Sequence, residues 1–249
     1  MTISIITVVL NARLTIENTI ESVLGQTYGN IEYIIIDGGS TDGTLDIVNK
    51  YKDKISKIVS EPDKGIYDGM NKGVKLASGD IIGILNADDI YDNRFVLETV
   101  VRAIAENNSD ACYGDLVYVD RYDTDKIKRC WKSCEYKEGL LKKGWIPPHP
   151  TFFVKRSAYK DFGMFDINFP LAADYDLMFR FLERHKIKSC YIPQVLVKMR
   201  AGGSSNKGLS NLIRQNLEIA RILKQNGINN YFKFFLFKII NKLRQFQLW

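Results

Sequence analysis

The stretch "EYIIIDGGSTDGT" (Glu32–Thr44) runs four apolar residues straight into an acid and a glycine-rich turn, and "LDIVNKY" follows it with helical spacing. A short apolar run without polar alternation is the mark of a strand buried on both faces, and Gly38 and Gly39 end it. The same plan stands on either side. "ISIITVVLN" (Ile3–Asn11) is another short, almost continuous β-branched run. A helix follows it, with Thr15 as the expected cap and Ile16, Ile20, Val23 and Leu24 as the apolar stripe. Downstream, "ISKIVS" reads as a third strand, "GIYDGMNKGVKLA" as a third helix stopped at Gly79, and "DIIGILN" as a fourth strand. This alternation predicts an α/β fold with a doubly wound, mainly parallel sheet over roughly the first hundred residues.

The second half is less regular. "FVLETVVRAIAEN" has the spacing of a helix, and "ACYGDLVYVD" and "KIKRCW" read as strands of a smaller antiparallel part. "GWIPPHPTFF" is a proline-rich loop and "AADYDLMFRFLERH" an amphipathic helix. "SCYIPQVLVKMR" reads as two short strands divided by Pro193, and "RAGGSSNKG" as a flexible loop. Two helices close the chain. The expected organisation is one α/β domain over residues 1–208 and a C-terminal helical tail over residues 209–249.

The 249 residues are enough for one large domain with an appendage, and 45% hydrophobic with 26% charged residues is a folded composition. The net charge is +6, and the segment from Lys224 to Trp249 holds five Lys/Arg and no acid. Cys112, Cys130, Cys134 and Cys190 form no CxxC pair and have no His at zinc spacing, so free thiols are expected. The N-terminus lacks the basic region and cleavage site of a signal peptide, and no apolar run reaches membrane-span length. A cytoplasmic protein is expected, and the tail adds the inner face of the membrane as a docking surface. Basic charge is spread along the chain and the tail is apolar, which argues against nucleic acid as a partner.

In open parallel sheets, ligands bind beyond the carboxyl ends of the strands. There the chain places Asn11 after the first strand, Asp37 with Gly38 and Gly39 after the second, Glu61 and Asp63 after the third, and Asp88 and Asp89 after the fourth. One acid at a strand end is commonly a turn or helix cap. Several at one edge suit a hard divalent cation or hydrogen bonds to sugar hydroxyls. Two adjacent carboxylates become tolerable once a metal neutralises them. "DGGSTDGT" has the spacing of neither a Walker loop nor the dinucleotide fingerprint, which argues against an NTPase and a dehydrogenase.

The segments "SIITVVLN", "EYIIIDGGSTDGT", "EPDKGIYDGMNKGVKLASGD", "LNADD" and "AADYDLMFR", in this order and at these separations, resemble the inverting glycosyltransferase family 2 with its GT-A fold. The resemblance covers about residues 3–205 and is closest to the branch that builds bacterial cell-surface polysaccharides. It implies a nucleotide-sugar donor, a UDP-sugar first, and a saccharide or lipid-linked saccharide acceptor. Asp88 and Asp89 resemble the acidic motif that holds a divalent metal, Mn2+ or Mg2+, with Asn86 in the motif's first place. Asp174 resembles the general base, and the Glu that usually precedes it is Ala173. Gly38 stands where the family often has a second Asp that reads the nucleobase. Further residues implied at the nucleotide-sugar are Thr7, Val8, Asn11, Asp37, Asp63, Asn71, His149 and Arg200.

The implied chemistry is a single inverting displacement. An acceptor hydroxyl attacks the anomeric carbon, Asp174 removes its proton, and the metal stabilises the leaving diphosphate. Asp176 is the fallback base, although Asp176 and Arg180 have the spacing of an i,i+4 ion pair. His149 suits either a structural role or a hydrogen bond to diphosphate or acceptor. The loop from Arg200 to Lys207 suits a lid over the diphosphate or a plain connector. In the tail, Phe232, Phe235, Leu236, Ile239, Ile240 and Leu243 form an apolar stripe. Lys233, Lys238, Lys242 and Arg244 add cations suited to core docking, an anionic membrane or self-association. Two alternatives stand beside this reading: a nucleotidyltransferase, disfavoured because no GxGxR-like start follows the first strand, and a non-catalytic nucleotide-sugar-binding relative.

Overall fold

A computed structural model describes residues 1–202 and 209–245. The lid residues Gly203–Lys207 lie outside the described residues, as do the side chains of Phe232, Lys233 and Arg244 in the tail.

The first strand, β1 (Ile3–Val9), is buried along its whole length, as its mostly apolar run predicts, with Ser4 and Thr7 buried as well. It pairs in parallel with β2 (Ile31–Asp37) on one side and β4 (Ile81–Ile84) on the other, and β3 (Lys57–Ser60) extends the parallel set beyond β2. The intervening helices are α1 (Ile16–Leu24), α2 (Thr44–Lys50) and α3 (Ile66–Leu76). The α3 helix lies flat on β1 because Gly69 and Gly73 face it. A Cβ on Gly73 would stand 2.3 Å from Ile6 Cγ2, and one on Gly69 would stand 2.6 Å from Val8 Cγ1.

Beyond β4 the sheet changes direction. Its remaining strands are β5 (Asp89–Tyr91), β6 (Ala111–Val119), β7 (Ile127–Trp131), β8 (Phe153–Lys155) and β9 (Ser189–Arg200). The order is β3-β2-β1-β4-β8-β6-β9-β5, with β7 on β6. The β8 strand runs antiparallel to both β4 and β6, β7 antiparallel to β6, and β5 antiparallel to β9, whereas β9 is parallel to β6. The mainly parallel sheet with a smaller antiparallel part expected from the sequence is what forms, with C-terminal helices.

Local expectations need three corrections. Thr15 makes no side-chain cap on α1; its hydroxyl donates instead to Ala87 O at 2.9 Å. The segment Ser189–Arg200 is one strand, not two, because the extra residues Pro193 and Gln194 are absorbed as a bulge between the pairs Gly114–Ile192 and Asp115–Val195. The Ala172–His185 helix is not amphipathic: α6 (Ala173–Met178) and the wider turns of Phe179–Arg184 are almost wholly buried. Sequence reading also passed over β5, β8 and α5 (Arg156–Phe162), pieces of 3, 3 and 7 residues, too short to show a period.

Two apolar cores form, one on each face of the sheet. One holds α1, α2 and α4 (Val96–Glu106) against sheet residues such as Ile5, Ile35 and Phe153. The other holds α3, α5 and α6, and it takes in α7 (Leu209–Gln225) through Ile219, Ile222 and Leu223, and α8 (Tyr231–Arg244) through Phe234. Phe234, which is not part of the tail stripe read from the sequence, docks at 2% exposure, with Tyr231 and Phe235 partly buried against the same core. All four cysteines are free thiols. No helix among the described residues is long and apolar enough to cross a membrane.

Candidate active site

The carboxyl ends of β1, β2, β3 and β4 lie along one edge. Asn11 follows β1 with a left-handed backbone (φ 52°). Its Oδ1 accepts from Thr41 N at 2.9 Å, and its own N–H donates to Ser40 Oγ at 2.8 Å. Asn11 thus ties the β1 loop to the glycine-rich β2 loop, a stitch continued by Arg13 N on Asp42 Oδ2. Asp37 is fully buried and accepts from Ser60 Oγ at 2.6 Å and from Ser40 N at 3.2 Å, so its carboxylate organises the loop. Thr7 and Val8 are buried within β1, with Thr7 Oγ1 sharing a hydrogen bond with Tyr33 Oη at 3.1 Å. Their side chains do not line the edge.

Gly38 has a specific neighbour. A Cβ there would stand 2.6 Å from Asp63 Oδ2, so the Asp63 carboxylate occupies the space that a larger residue at position 38 would take. Asp63 Oδ1 accepts from Gly65 N at 2.9 Å, which fixes the carboxylate at the start of α3. Glu61 turns outward and pairs with Lys72 at 2.8 Å.

The acidic turn after β4 is pinned through its backbone. Thr15 Oγ1 donates to Ala87 O at 2.9 Å, Arg200 Nη1 to Asp88 O at 2.8 Å, and Thr19 Oγ1 to Asp89 O at 2.8 Å. Arg200 is itself 6% exposed and also donates to Asn18 Oδ1, so here it holds the turn. Asp88 is half-buried, whereas Asp89 is fully buried, its Oδ2 taking a bond from Asn86 Nδ2 at 3.2 Å. Burial, followed by the charge of Asp88, pushes the Asp89 carboxyl well above the usual range, and burial also raises Asp88. Asn86 Oδ1 and Asp89 Oδ1 are buried oxygens without a hydrogen-bond partner. A turn with two raised carboxyls and two orphaned hard oxygens is short of positive charge, and these donors fit a divalent cation such as Mn2+ or Mg2+. Among the described residues no three His, Cys, Asp or Glu side chains converge as a cage. A cation here would therefore draw other ligands from diphosphate and water.

Asp174, in the first turn of α6, reaches the start of α3. Its Oδ1 accepts from Tyr67 Oη at 3.0 Å and from Tyr175 N at 2.9 Å. Tyr67 stacks on Phe165 at 5.5 Å, and His149 meets the same ring edge-on at 5.7 Å. Burial lowers the His149 pKa and the nearby Asp174 charge opposes this, so the imidazole is neutral at pH 7. Asn71 spends both ends of its amide on the backbone of Phe165, at 2.9 and 3.0 Å, and so clamps that loop. Asp176 is 6% exposed and forms the i,i+4 pair with Arg180 at 2.8 Å, so its carboxylate is already engaged.

The structure thus brings Asn11, Gly38, Asp63, Asn86 and Asp88 to one edge, with Asp174 and His149 linked to it through Tyr67 and Phe165. It leaves Thr7, Val8, Asp37 and Arg200 buried behind, while Asp89, fully buried under the same turn, keeps an unpartnered Oδ1. Tyr67 was missed although it lies in "GIYDGMN", one turn after the third strand end. Thr15 was expected only as a helix cap and Thr19 was missed, because nothing in a helix stripe announces a hydroxyl aimed at another loop.

Comparison with known proteins agrees with this geometry. The sequence profile described as "Glycosyl transferase family 2" matches residues 4–163. A PGL/p-HBAD biosynthesis glycosyltransferase of Mycobacterium bovis is 30% identical over 221 residues, which span 84% of this chain and 79% of that protein. Among solved structures, Staphylococcus aureus TarS 1-349 in complex with UDP superposes with a TM-score of 0.64 at 20% identity, covering 88% of this chain and 66% of that one. A mannosyltransferase from Pyrobaculum calidifontis in complex with GDP-Man and Mn2+ gives 0.66 at 18% identity, covering 92% and 64%. These likenesses establish the GT-A fold, and the profile match over most of the chain establishes the family: the protein belongs to glycosyltransferase family 2.

Proposed function

We propose that the protein transfers a sugar, with inversion, from a UDP-sugar to a hydroxyl of a saccharide or lipid-linked saccharide, with Asp174 as general base. The observation that carries this reading is the Asp174–Tyr67 hydrogen bond, which anchors a carboxylate at the start of α3, beside the strand-end edge. Among the described residues both hydrogen bonds to that carboxylate fall on Oδ1, which leaves Oδ2 to take the proton. The acceptor oxygen forms its bond to the anomeric carbon as the carbon–oxygen bond to the diphosphate breaks. That electron pair leaves with the phosphate, and the acceptor proton passes to Asp174. Asp88, with the oxygens of Asn86 and Asp89, would hold the Mn2+ or Mg2+, which supplies Lewis-acid stabilisation of diphosphate charge. Asp63, in the space left by Gly38, is placed to accept a hydrogen bond from the nucleobase, a role that suits the N–H of uracil. His149, neutral at pH 7, offers a hydrogen bond on the acceptor side.

A donor panel tests this reading: release of nucleoside diphosphate from UDP-, GDP- and dTDP-sugars, with and without Mn2+ or Mg2+. Metal-dependent turnover of a UDP-sugar, with weakened UDP binding in Asp88→Ala, is expected. No turnover with any donor, or undiminished UDP binding in that variant, would refute it.

The same reading places the acceptor at an anionic membrane surface. Leu236, Ile239 and Leu243 stay exposed on one face of α8, near the exposed cation Lys242. Full-length protein should co-sediment with phosphatidylglycerol vesicles at low salt, and the triple change of these residues to Gln should abolish this. Unchanged sedimentation of the triple variant would remove the membrane from the account.

A further inference from the structure

Beyond the donor edge, β6 carries another buried carboxylate. The β8 strand runs antiparallel to both β4 and β6, so β6 points the same way as β4. The turn His149–Thr151, just before β8, is bonded to β6 at Gly114: Thr151 Oγ1 donates to Gly114 O at 3.0 Å, and Gly114 N donates to Thr151 Oγ1 at 3.3 Å. Asp115 comes next. Side chains alternate along a strand, so Asp115 faces as Ala111 and Tyr113 do, into the layer that holds α3 and α6. Those are the helices of Tyr67 and Asp174.

Asp115 is 7% exposed, and its bonds are one-sided. Its Oδ1 accepts from Ser133 N at 2.7 Å and from Tyr191 Oη at 2.8 Å, whereas Oδ2 takes no bond among the described residues. Ser133 is 8% exposed, and its hydroxyl is buried without a hydrogen-bond partner. Burial raises the Asp115 carboxyl, and the two bonds on Oδ1 offset this only in part. An Asn at 115 would brace the Ser133 loop as well; the carboxylate adds an acceptor oxygen that no protein donor uses. Buried polar atoms left without a partner point to a ligand or ion outside the chain.

Aromatic rings stand around this pair. Tyr191 stacks on Tyr113 at 5.8 Å, Trp145 meets Tyr113 edge-on at 5.8 Å, and Tyr136 stacks on Trp145 at 6.1 Å. Tyr191, Trp145 and Tyr136 are half-buried, so each keeps some ring surface open. A few fixed polar atoms among aromatic rings make the lining of a small-molecule site. An acceptor oxygen and a hydroxyl together suit two neighbouring hydroxyls of a sugar ring.

We propose that Asp115 and Ser133 form a subsite for one sugar ring of the saccharide acceptor. One sugar hydroxyl donates to Asp115 Oδ2, its neighbour exchanges a hydrogen bond with Ser133 Oγ, and the rings of Tyr191 and Trp145 cover the C–H surface of the sugar. The inference rests on the reading of the protein as a transferase to saccharide hydroxyls. It adds which residues select the acceptor: a sugar without the hydroxyl pair leaves the buried oxygens unpaired and binds more weakly. The donor end at Asp63, Asn86 and Asp88 takes no part in this selection.

The test uses the full chain with UDP and Mn2+ present and needs no turnover. The probes are the methyl glycosides of glucose, galactose, mannose, N-acetylglucosamine and rhamnose, followed by saturation-transfer NMR. At least one should bind the wild type. Ser133→Ala removes a hydroxyl with no protein partner, so the fold should stand while that glycoside binds roughly two- to tenfold more weakly. Asp115→Asn keeps an oxygen for Ser133 N and Tyr191 Oη, and should weaken the glycoside roughly 10- to 100-fold, the scale of a lost bond to a charged group. UDP affinity, measured by calorimetry, should hold in both variants. Binding of none of the glycosides, or wild-type affinity for the glycoside in either folded variant, would overturn the inference. So would a parallel loss of UDP affinity, which would put Asp115 at the donor instead. These outcomes leave the donor reading standing, because that reading fails on a different result, undiminished UDP binding in Asp88→Ala.

Discussion

Replacing Phe234 by Ala should destabilise the catalytic core, although position 234 lies in what reads from sequence as a tail. The ring is 2% exposed and meets Tyr175 at 5.9 Å and Phe235 at 5.2 Å, both edge-on. Tyr175 in turn donates to Leu141 O at 3.2 Å, at the short turn against which α8 packs. Removing a buried Phe ring costs about 3–5 kcal/mol, of which about 0.5–1.5 kcal/mol belongs to the aromatic geometry. For a chain of this size each kcal/mol lowers Tm by about 2–4 °C, so the melt should fall by roughly 6–20 °C. Thermal melting followed by near-UV circular dichroism, which reports aromatic packing, is the assay. Truncation before Tyr231 should do at least as much damage. If Phe234→Ala melts with the wild type, or the truncated chain keeps its Tm, then α8 is an appendage and its burial against Tyr175 is not part of the folded core.

Two further outcomes follow from particular contacts. Gly38→Ala puts a methyl 2.6 Å from Asp63 Oδ2, and because a side-chain end can swing aside, stability should change little while UDP affinity falls; calorimetric titration of UDP checks this, and unchanged affinity would remove Asp63 from the nucleobase site. Burial pushes the Glu32 carboxyl up, but bonds from Lys57, Ser4 and Ser78 outweigh it and hold the group at about 2, against an ordinary 4.5. The lowered value means that Glu32 stabilises the fold above about pH 4.5 and that this stability drains away as pH falls toward 2. The full shift corresponds to about 3 kcal/mol, and solvent screening at this half-open site reduces it to about 1–2 kcal/mol. Glu32→Gln should lose that amount at neutral pH and show a flatter acid denaturation curve; an unaltered curve would contradict it.

The parallel half of the sheet was legible because β1, β2 and β4 are buried, largely apolar runs ended by Asn or Asp, and the helices between them have buried stripes. The edge that those strands define was legible for the same reason, and it located Asn11, Asp63 and Asp88. What could not be read was which side chains at the edge turn inward. Asp88 and Asp89 are neighbours in sequence, yet the second begins β5 and is fully buried, and a strand of 3 residues leaves no periodic trace. Asp174 and Asp176 lie on one short helix, and only the Arg180 contact separates their roles. The tail stripe misled because a helix of mixed aromatic and basic residues has two plausible apolar faces, and the choice of Phe234 was made by Tyr175, about 60 residues upstream.

Asp174 is the group that should remove the acceptor proton. The most direct measurement is single-turnover transfer by Asp174→Asn, beside calorimetric binding of the donor's nucleoside diphosphate to the same variant. Asn keeps the shape and can still accept from Tyr67 and Tyr175, so donor affinity should match the wild type within error, while transfer should fall by roughly 10² to 10⁴, the scale of a lost general base. Transfer at the wild-type rate by Asp174→Asn, above all if Asp176→Asn were inactive, would contradict the account.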